Sequence, residues 1–449
     1  MLFATDKQTL DDLNIFGQHG SDSIYTIFNR TSTRGGAAIL EEMFNYPLSD
    51  EIAINRRSGI IQYFSSLSQA FPFSAADLDV AEPYLNNTDE RTKLSAQDHS
   101  VTKKLSNLIA VDAETTAIYR GISTVYGLLK NLYDFIITME LGGSHFYQPD
   151  KNAILRLLAE PDFKEILNIP FKNKLSNTVM MEYDLLFRFR HREVILKLMR
   201  HIHYMDVYFA IAKVALERQF IFPKALPKDQ HQVTIDGLYH PQVKNAVPNS
   251  IHISPGSNVI FLTGANMAGK STFMKSLSVA LYLAHMGFPV AASVMEFSVL
   301  DGIYTTINLP DNLGMGASHF YAEVLRVKKM AQELAQSKNL FIVFDELFRG
   351  TNVKDACEAT IACTSAFARK RNSMFVISTH IIEAGDVLRE RCNNINFVYL
   401  PTRMEGTHPV YTYTLEKGIT EDRHGMIIIN NEGILEILEA GIERMNKLK

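Results

Sequence analysis

The sequence predicts a multidomain protein, with a mostly α-helical region at residues 1–230 followed by an α/β domain at 231–449 built on a mostly parallel sheet. Three observations carry this reading. The first half is rich in Leu, Ile, Phe, Arg and Lys at helical spacing and poor in Gly and Pro. From about residue 231, short apolar runs at 259–262, 340–344 and 374–377 alternate with helical segments, the pattern of parallel strands flanked by helices. Between the halves, Pro223 and Pro227 interrupt the helical pattern at 222–232, because proline lacks the N–H a helix needs.

The helical half shows its period in sets such as Ala37, Leu40, Met43 and Phe44, or Ile195, Met199, Ile202 and Met205. A polar stretch at 84–100 reads as a loop or weak helix, and Gly142-Gly143-Ser144 through Pro149 breaks two further helical blocks. The 449 residues suffice for about two or three domains with cores of their own. Hydrophobic content of 46% and charged content of 21% are those of an ordinary globular chain. The most apolar stretch, 277–294, contains His285, Gly287 and Pro289, so a buried helix and following strand are expected, with no membrane span. The N-terminus carries acids early and no apolar core, which predicts no secretion signal. Cys357, Cys363 and Cys392 have no metal-site spacing, and a sparse odd set suits a reducing compartment, so the expected location is the cytoplasm. With a formal net charge of −4, any contact to nucleic acid has to come from a local basic face.

The first chemical motif is Gly264-Ala-Asn-Met-Ala-Gly269-Lys270-Ser271, a full G-x-x-x-x-G-K-[ST] loop between the apolar run at 259–262 and an apolar helix at 272–286. Glycines let consecutive backbone N–H groups turn toward phosphate oxygens, and the helix N-terminus adds positive potential. Lys270 can reach the β- and γ-phosphates, and the Ser271 hydroxyl can ligate Mg²⁺. Gly264, Asn266, Met267, Ala268, Gly269, Lys270, Ser271 and Thr272 are therefore the expected phosphate-binding residues. The second motif is the strand run at 340–344 ending in Asp345-Glu346. There Asp345 is expected to join Ser271 at the metal and Glu346 to polarise the attacking water. The third run, 374–377, ends in Ser378-Thr379-His380, which puts an imidazole at the strand edge where it can meet the γ-phosphate or the water.

These residues together resemble the MutS family. Thr263 through Thr272 resembles the family's T-G-P-N-M-G-G-K-S-T, and Asp345-Glu-Leu-Phe-Arg-Gly-Thr351 its D-E-x-G-R-G-T, with Phe348 in place of a glycine. Ser378-Thr-His380 matches its x-T-H element. The segment Asp311-Asn-Leu-Gly-Met-Gly-Ala-Ser-His-Phe-Tyr-Ala-Glu323 resembles D-D-L-x-x-G-x-S-T-F-M-x-E, keeping Gly316, Ser318, Phe320 and Glu323 while His319 and Tyr321 depart. Tyr239-His240-Pro241 and Val247-Pro248-Asn249 resemble the family's adenine-holding segment, with Ala246 where an aromatic is usual. Tyr413 falls where an aromatic or His stacks on adenine, although a core strand residue is an equal reading. Further likeness lies at 21–24, at Arg30-Thr-Ser-Thr-Arg-Gly-Gly36, at 47–57 and at Asp206-Val-Tyr-Phe-Ala-Ile-Ala212, so it spans about residues 15–435.

The resemblance implies a helical lever region and an ABC-type P-loop ATPase domain with ATP and Mg²⁺ as cofactors. It also implies a homodimer in which Ser318 completes the partner's site. It places Glu346, His380 and Ser318 in catalysis, Ser271 and Asp345 at the metal, and Val247 and Tyr413 at the base. The family's mismatch-reading and connector domains are expected to have no counterpart here and the clamp to be reduced, so Phe163-Lys-Glu165 reads as a chance copy of the wedge motif. DNA is the expected partner, in mismatch repair or related repair and recombination. A basic stretch from Arg188, Arg190, His191 and Arg192 to Lys197, Arg200, His201 and His203 is the candidate phosphate contact, weighed against a solvated helix face. A nucleotide-driven clamp on a ribosome or protein is the alternative. A small-molecule kinase fits less well, since it needs neither the Ser318 segment nor a long helical arm.

Overall fold

The structure, a computed structural model, describes residues 2–17, 22–67, 69–94, 108–141, 146–168, 176–307, 319–405, 408–420 and 433–447. The chain divides into two compact units. One is α/β and comprises Met1–Ile27, Tyr46–Ser58 and Arg218–Lys449; the other is helical and comprises Phe28–Asn45 and Gly59–Glu217. Residues 1–27, on the helical side of the sequence reading, thus pack with the α/β unit. Nothing in their local pattern announces this, because the contacts are long-range.

In the α/β unit the strands are β1 (Lys224–Leu226), β2 (Val233–Leu238), β3 (Asn249–Ile253), β4 (Val259–Gly264), β5 (Val294–Ser298), β6 (Gly302–Thr306), β7 (Leu340–Asp345), β8 (Met374–Ser378), β9 (Ile395–Leu400), β10 (Thr402–Glu405), β11 (His408–Tyr411) and β12 (Glu416–Lys417). The main sheet has the order β12-β9-β4-β8-β7-β6 and is parallel except for β12. Its central strands are buried on both faces, which is why they read as continuous Val/Ile/Leu/Phe runs without alternation. Under one face, Phe344, Phe367 and Phe375 stack at 5.6 and 4.9 Å between ring centroids. They join Met330 and Leu334 of the helix His319–Ala335 in one core.

A second sheet, β1-β5-β2-β3, is antiparallel apart from the β1–β5 pair. Its strands β2 and β3 alternate buried and exposed residues, so the one-faced sheet carries only a weak apolar signal. The helix Lys270–His285 ends just before Gly287. Gly287 is left-handed at φ 70°, Phe288 N–H donates to Leu283 O at 3.0 Å, and Gly287 N–H donates to Ala284 O at 2.9 Å. This is a Schellman cap, and only glycine enters it without strain.

In the helical unit, Asp206 holds the start of the helix Arg34–Asn45. Its carboxylate accepts from Ser32 N at 2.9 Å, Thr33 N at 2.8 Å and Thr33 Oγ1 at 2.7 Å. Thr33 Oγ1 in turn accepts from Gly36 N at 2.9 Å. A Cβ on Gly36 would lie 2.4 Å from Asp206 Oδ2, so the second glycine of Thr33-Arg-Gly-Gly36 exists for close approach. A π-helical turn at Leu185–Arg190 turns Arg188 inward. There it donates to Asp184 Oδ1 at 2.6 Å, Thr92 Oγ1 at 2.7 Å and Asn87 O at 3.1 Å.

Candidate nucleotide site

Adjacent parallel strands end on the same edge, and the register aligns their ends. Leu262 sits opposite Ser378 on β8, and Ser378 sits opposite Asp345 on β7. The loops after β4, β7 and β8 therefore meet at the carboxyl edge of the sheet, where open α/β sheets bind ligands. The structure brings Gly264–Thr272, Asp345, Glu346 and His380 together there.

After β4 the chain passes through Gly264 at φ 150°, Met267 at φ 68° and Gly269 at φ 102°, and the helix Lys270–His285 begins. Gly269 has a second constraint, since a Cβ there would lie 3.0 Å from Tyr413 Cδ1. Asn266 and Met267 are exposed, whereas Ala268 is buried. Lys270 Nζ donates to Gly264 O at 2.8 Å and Ala265 O at 3.0 Å. Burial pushes the Lys270 ammonium below its ordinary pKa, while Asp345 and Glu346 pull it back up. A half-desolvated cation held by neutral carbonyls is primed for an anionic ligand.

Ser271 Oγ donates to Asp345 Oδ2 at 2.8 Å. Asp345 Oδ1 is buried and has no hydrogen-bond partner among the described residues. A buried acceptor without a donor costs free energy, and a hard cation would satisfy it. The residues thus fit Mg²⁺ with Ser271 and Asp345 as its protein ligands. Among the described residues no cluster of three or more His, Cys, Asp or Glu could hold a metal alone. Magnesium at such a site takes its remaining oxygens from phosphates and water.

Glu346 follows at φ 54°, its N–H donating to Ser378 O at 3.0 Å. Its Oε1 lies 2.8 Å from His380 Nε2, and its Oε2 lies 3.6 Å from Arg349 Nη1. The His380 hydrogen bond, above all, holds the Glu346 carboxyl below its ordinary pKa against the opposing effect of burial. Lys270 Nζ stands 3.4 Å from the same His380 nitrogen. Arg349 also reaches Glu323, Nε to Oε1, at 3.9 Å. Sequence reasoning gave Arg349 no role, although it lies inside the motif that was read. Phe348 is left-handed at φ 62° yet buried, its ring 6.1 Å from Phe320. Burying a phenyl ring contributes about 2 kcal/mol, enough to offset the ~1 kcal/mol that a non-glycine residue loses in that conformation.

A cavity of about 350 Å³ opens beside the loop, lined by Gly269, Thr272, Val247, Asn249, Leu400 and Tyr413 among others. The expected base contacts Val247 and Tyr413 thus share one cavity with the phosphate loop. Asn249, quoted in the motif without a role, organises it. Its Nδ2 donates to Tyr413 O at 2.9 Å and Val247 O at 3.3 Å, and its Oδ1 accepts from Leu415 N at 2.7 Å. His240, also lining the cavity, is driven down to about 4 by burial and by Lys275, so it is neutral there, with Nδ1 accepting from Gln242 N at 3.3 Å. Ser318 and most of the segment 311–323 lie outside the described residues. The helix His319–Ala335 is described, and Gly350 abuts its first turn, where a Cβ would meet Phe320 N at 2.6 Å.

The basic stretch of the helical unit is largely committed internally. Arg188 is fully buried on Asp184, Arg192 donates to Leu85 O at 2.7 Å, and His191 lies 2.9 Å from Asp162. Arg190, Lys197 and Arg200 remain exposed. No helix among the described residues is long and apolar enough to cross a membrane.

Comparison with known proteins matches residues 260–449 to the model of MutS domain V. The DNA mismatch repair protein MutS of Streptococcus suis is 30% identical over 277 residues, covering 59% of this chain and 32% of the relative. That of Fusobacterium nucleatum is 28% identical over 303 residues, covering 64% and 33%, and that of Persephonella marina 28% over 265 residues, covering 57% and 30%. The chain spans about a third of the length of these curated relatives. The domain V match takes in the phosphate loop, both carboxylates and most of the main sheet, so residues 260–449 belong to the MutS domain V family, in a chain similar to MutS proteins over about 60% of its length.

Proposed function

We propose that the chain is a Mg²⁺-dependent ATP hydrolase of the ABC type that works as a homodimer on DNA, in mismatch repair or related repair and recombination. The observation that carries the hydrolase reading is the pairing of Ser271 Oγ with Asp345 Oδ2 at 2.8 Å, with Asp345 Oδ1 buried and unpartnered beside Lys270. In this reading Lys270 and the loop bind the β- and γ-phosphates, Ser271 and Asp345 hold the ion, and the 350 Å³ cavity takes the adenine. The bound ion would neutralise charge developing on the transferred phosphoryl group. Glu346 polarises the attacking water once His380 turns from it to the γ-phosphate. Ser318 completes the partner's site, where its hydroxyl suits an anion. Residues 1–230 act as the lever region and 231–449 as the ATPase domain, with ATP-driven closure moving the levers. The free cysteines Cys357, Cys363 and Cys392 suit a cytoplasmic protein.

The test is steady-state phosphate release across a range of protein concentrations, with Mg²⁺ or EDTA, and with or without duplex or branched DNA. Turnover per chain that rises with concentration, requires Mg²⁺ and responds to DNA is expected. Mixtures of Ser318→Ala and Lys270→Ala chains that turn over no differently from either variant alone at every mixing ratio would remove the shared-site model. A clamp on a protein or ribosome is the second reading, favoured by the internal commitment of Arg188, His191 and Arg192. Pull-down with ATP and a Glu346→Gln chain separates the two by whether nucleic acid or protein is retained.

A further inference from the structure

The N-terminal residues form part of the α/β unit in an unusual way. Ala4 N donates to Asp301 O at 2.7 Å and Ala4 O accepts from Ile303 N at 3.0 Å, so Ala4 makes a parallel bridge to Gly302 at the edge of β6. A Cβ on Gly302 would lie 2.3 Å from Ala4 O, so the glycine admits the strap. The short helix Lys7–Asp12 then presents two polar side chains to the end of β6. Thr9 Oγ1 accepts from Thr305 N at 3.0 Å, and Asp12 Oδ2 accepts from Thr305 Oγ1 at 2.8 Å and Ile307 N at 2.9 Å.

Asp6, the cap of that helix, pairs with Arg326 through both guanidinium nitrogens and with Lys329 Nζ at 2.5 Å. Arg326 is buried and donates onward to Thr305 O at 2.6 Å and Thr306 Oγ1 at 3.2 Å. One turn earlier on the same helix stands Glu323, which shares Arg349 with Glu346 at 3.9 and 3.6 Å. Thr306, Glu323, Asp345, Glu346 and Arg349 line one small cavity.

We infer that Asp6 is a positioning residue for hydrolysis: through Arg326 it fixes the helix that carries Glu323, and so sets how Arg349 divides itself between Glu323 and Glu346. This rests on the hydrolase reading above. The two ion pairs on Arg349 exceed hydrogen-bond length, so a small shift of the helix repartitions the guanidinium between two carboxylates. If Glu323 withdraws, Arg349 pairs fully with Glu346 and holds it away from water. Among the described residues neither Asp6 nor Arg326 hydrogen-bonds to the phosphate loop or the base cavity, so nucleotide affinity is spared.

The experiment measures kcat, KM and fluorescent-ATP affinity for the full chain and for Asp6→Asn, Asp6→Glu, Glu323→Gln and the Asp6→Asn/Glu323→Gln double variant. Asp6→Asn is expected to lower kcat roughly tenfold, less than the ~100-fold that a 1 Å misplacement costs, with KM and affinity unchanged. Asp6→Glu restores most of it. In the Glu323→Gln background Asp6→Asn adds nothing further, because both act through Arg349. Arg326→Lys, which keeps the charge but loses the fork, gives the same kcat-only loss and serves if Asp6→Asn does not fold. Wild-type turnover with unchanged kcat in these variants, parallel losses of affinity and kcat, or multiplicative effects in the double variant would each overturn the inference alone. A wild-type chain that binds ATP without turning it over would sink the hydrolase reading, and the inference with it.

Discussion

His285 should make the α/β unit acid-sensitive well above the pH at which carboxylates titrate. It ends the helix that starts at the phosphate loop and is completely buried, with ring centroids of Phe3 and Phe297 at 4.7 and 4.9 Å. Nδ1–H donates to Leu281 O at 2.8 Å, and Nε2 accepts from Leu300 N at 2.9 Å. Both nitrogens are committed to the neutral tautomer, and a proton on Nε2 would face a backbone N–H. Burial drives the imidazole down to about 4, against the opposing pulls of the Leu281 carbonyl and Asp301. An unfolded chain titrates it near ~6.5. Because the folded value is the lower one, the unfolded state binds the proton first. Stability is therefore complete above about pH 6.5 and falls as pH drops toward 4. The full loss is about 3 kcal/mol, with about 2 kcal/mol gone by pH 5. Urea unfolding from pH 7.5 to 5 measures this. His240 shares the direction, so the informative quantity is the difference between wild type and His285→Gln. That difference should shrink by about 2 kcal/mol toward pH 5. A pH-independent difference, or a ring proton resonance of His285 titrating near 6.5 in the folded protein, would refute the reasoning.

Three further outcomes follow from the geometry. Lys270→Ala should weaken ATP binding roughly 30-fold, the ~2 kcal/mol of a charge-assisted contact, without lowering the melting temperature, as seen by calorimetric titration and thermal scans. Asp345→Asn should leave ATP affinity the same with Mg²⁺ or EDTA, whereas the wild type binds more tightly with Mg²⁺; retained magnesium dependence would count against Asp345 as a ligand. Gly36→Ala forces a Cβ to 2.4 Å from Asp206 Oδ2 and should destabilise the helical unit by about 2 kcal/mol in urea unfolding.

Much of the α/β unit was legible because its signals are local. The loop at 264–271, the runs ending in Asp345 and Ser378, and the Gly287 cap each lie within a dozen residues, where period and glycine placement have direct conformational meaning. The second sheet was less so, since β2 and β3 are short and one-faced. The basic stretch at Arg188 misleads as a surface. Charge composition does not reveal that a π-helical turn aims Arg188 inward onto Asp184.

By itself the sequence determined which groups stand at the sheet edge, because a glycine-rich loop and strand-end carboxylates are written in contiguous residues. Only the tertiary structure decided what surrounds that chemistry. Asp6 meets Arg326 across 320 positions, Asn249 ties Val247 to Tyr413, and Arg349 lies between Glu323 and Glu346. Such pairs leave no periodicity to read. They exist because chain topology, rather than local propensity, brings polar groups together where water is excluded and each must find a partner.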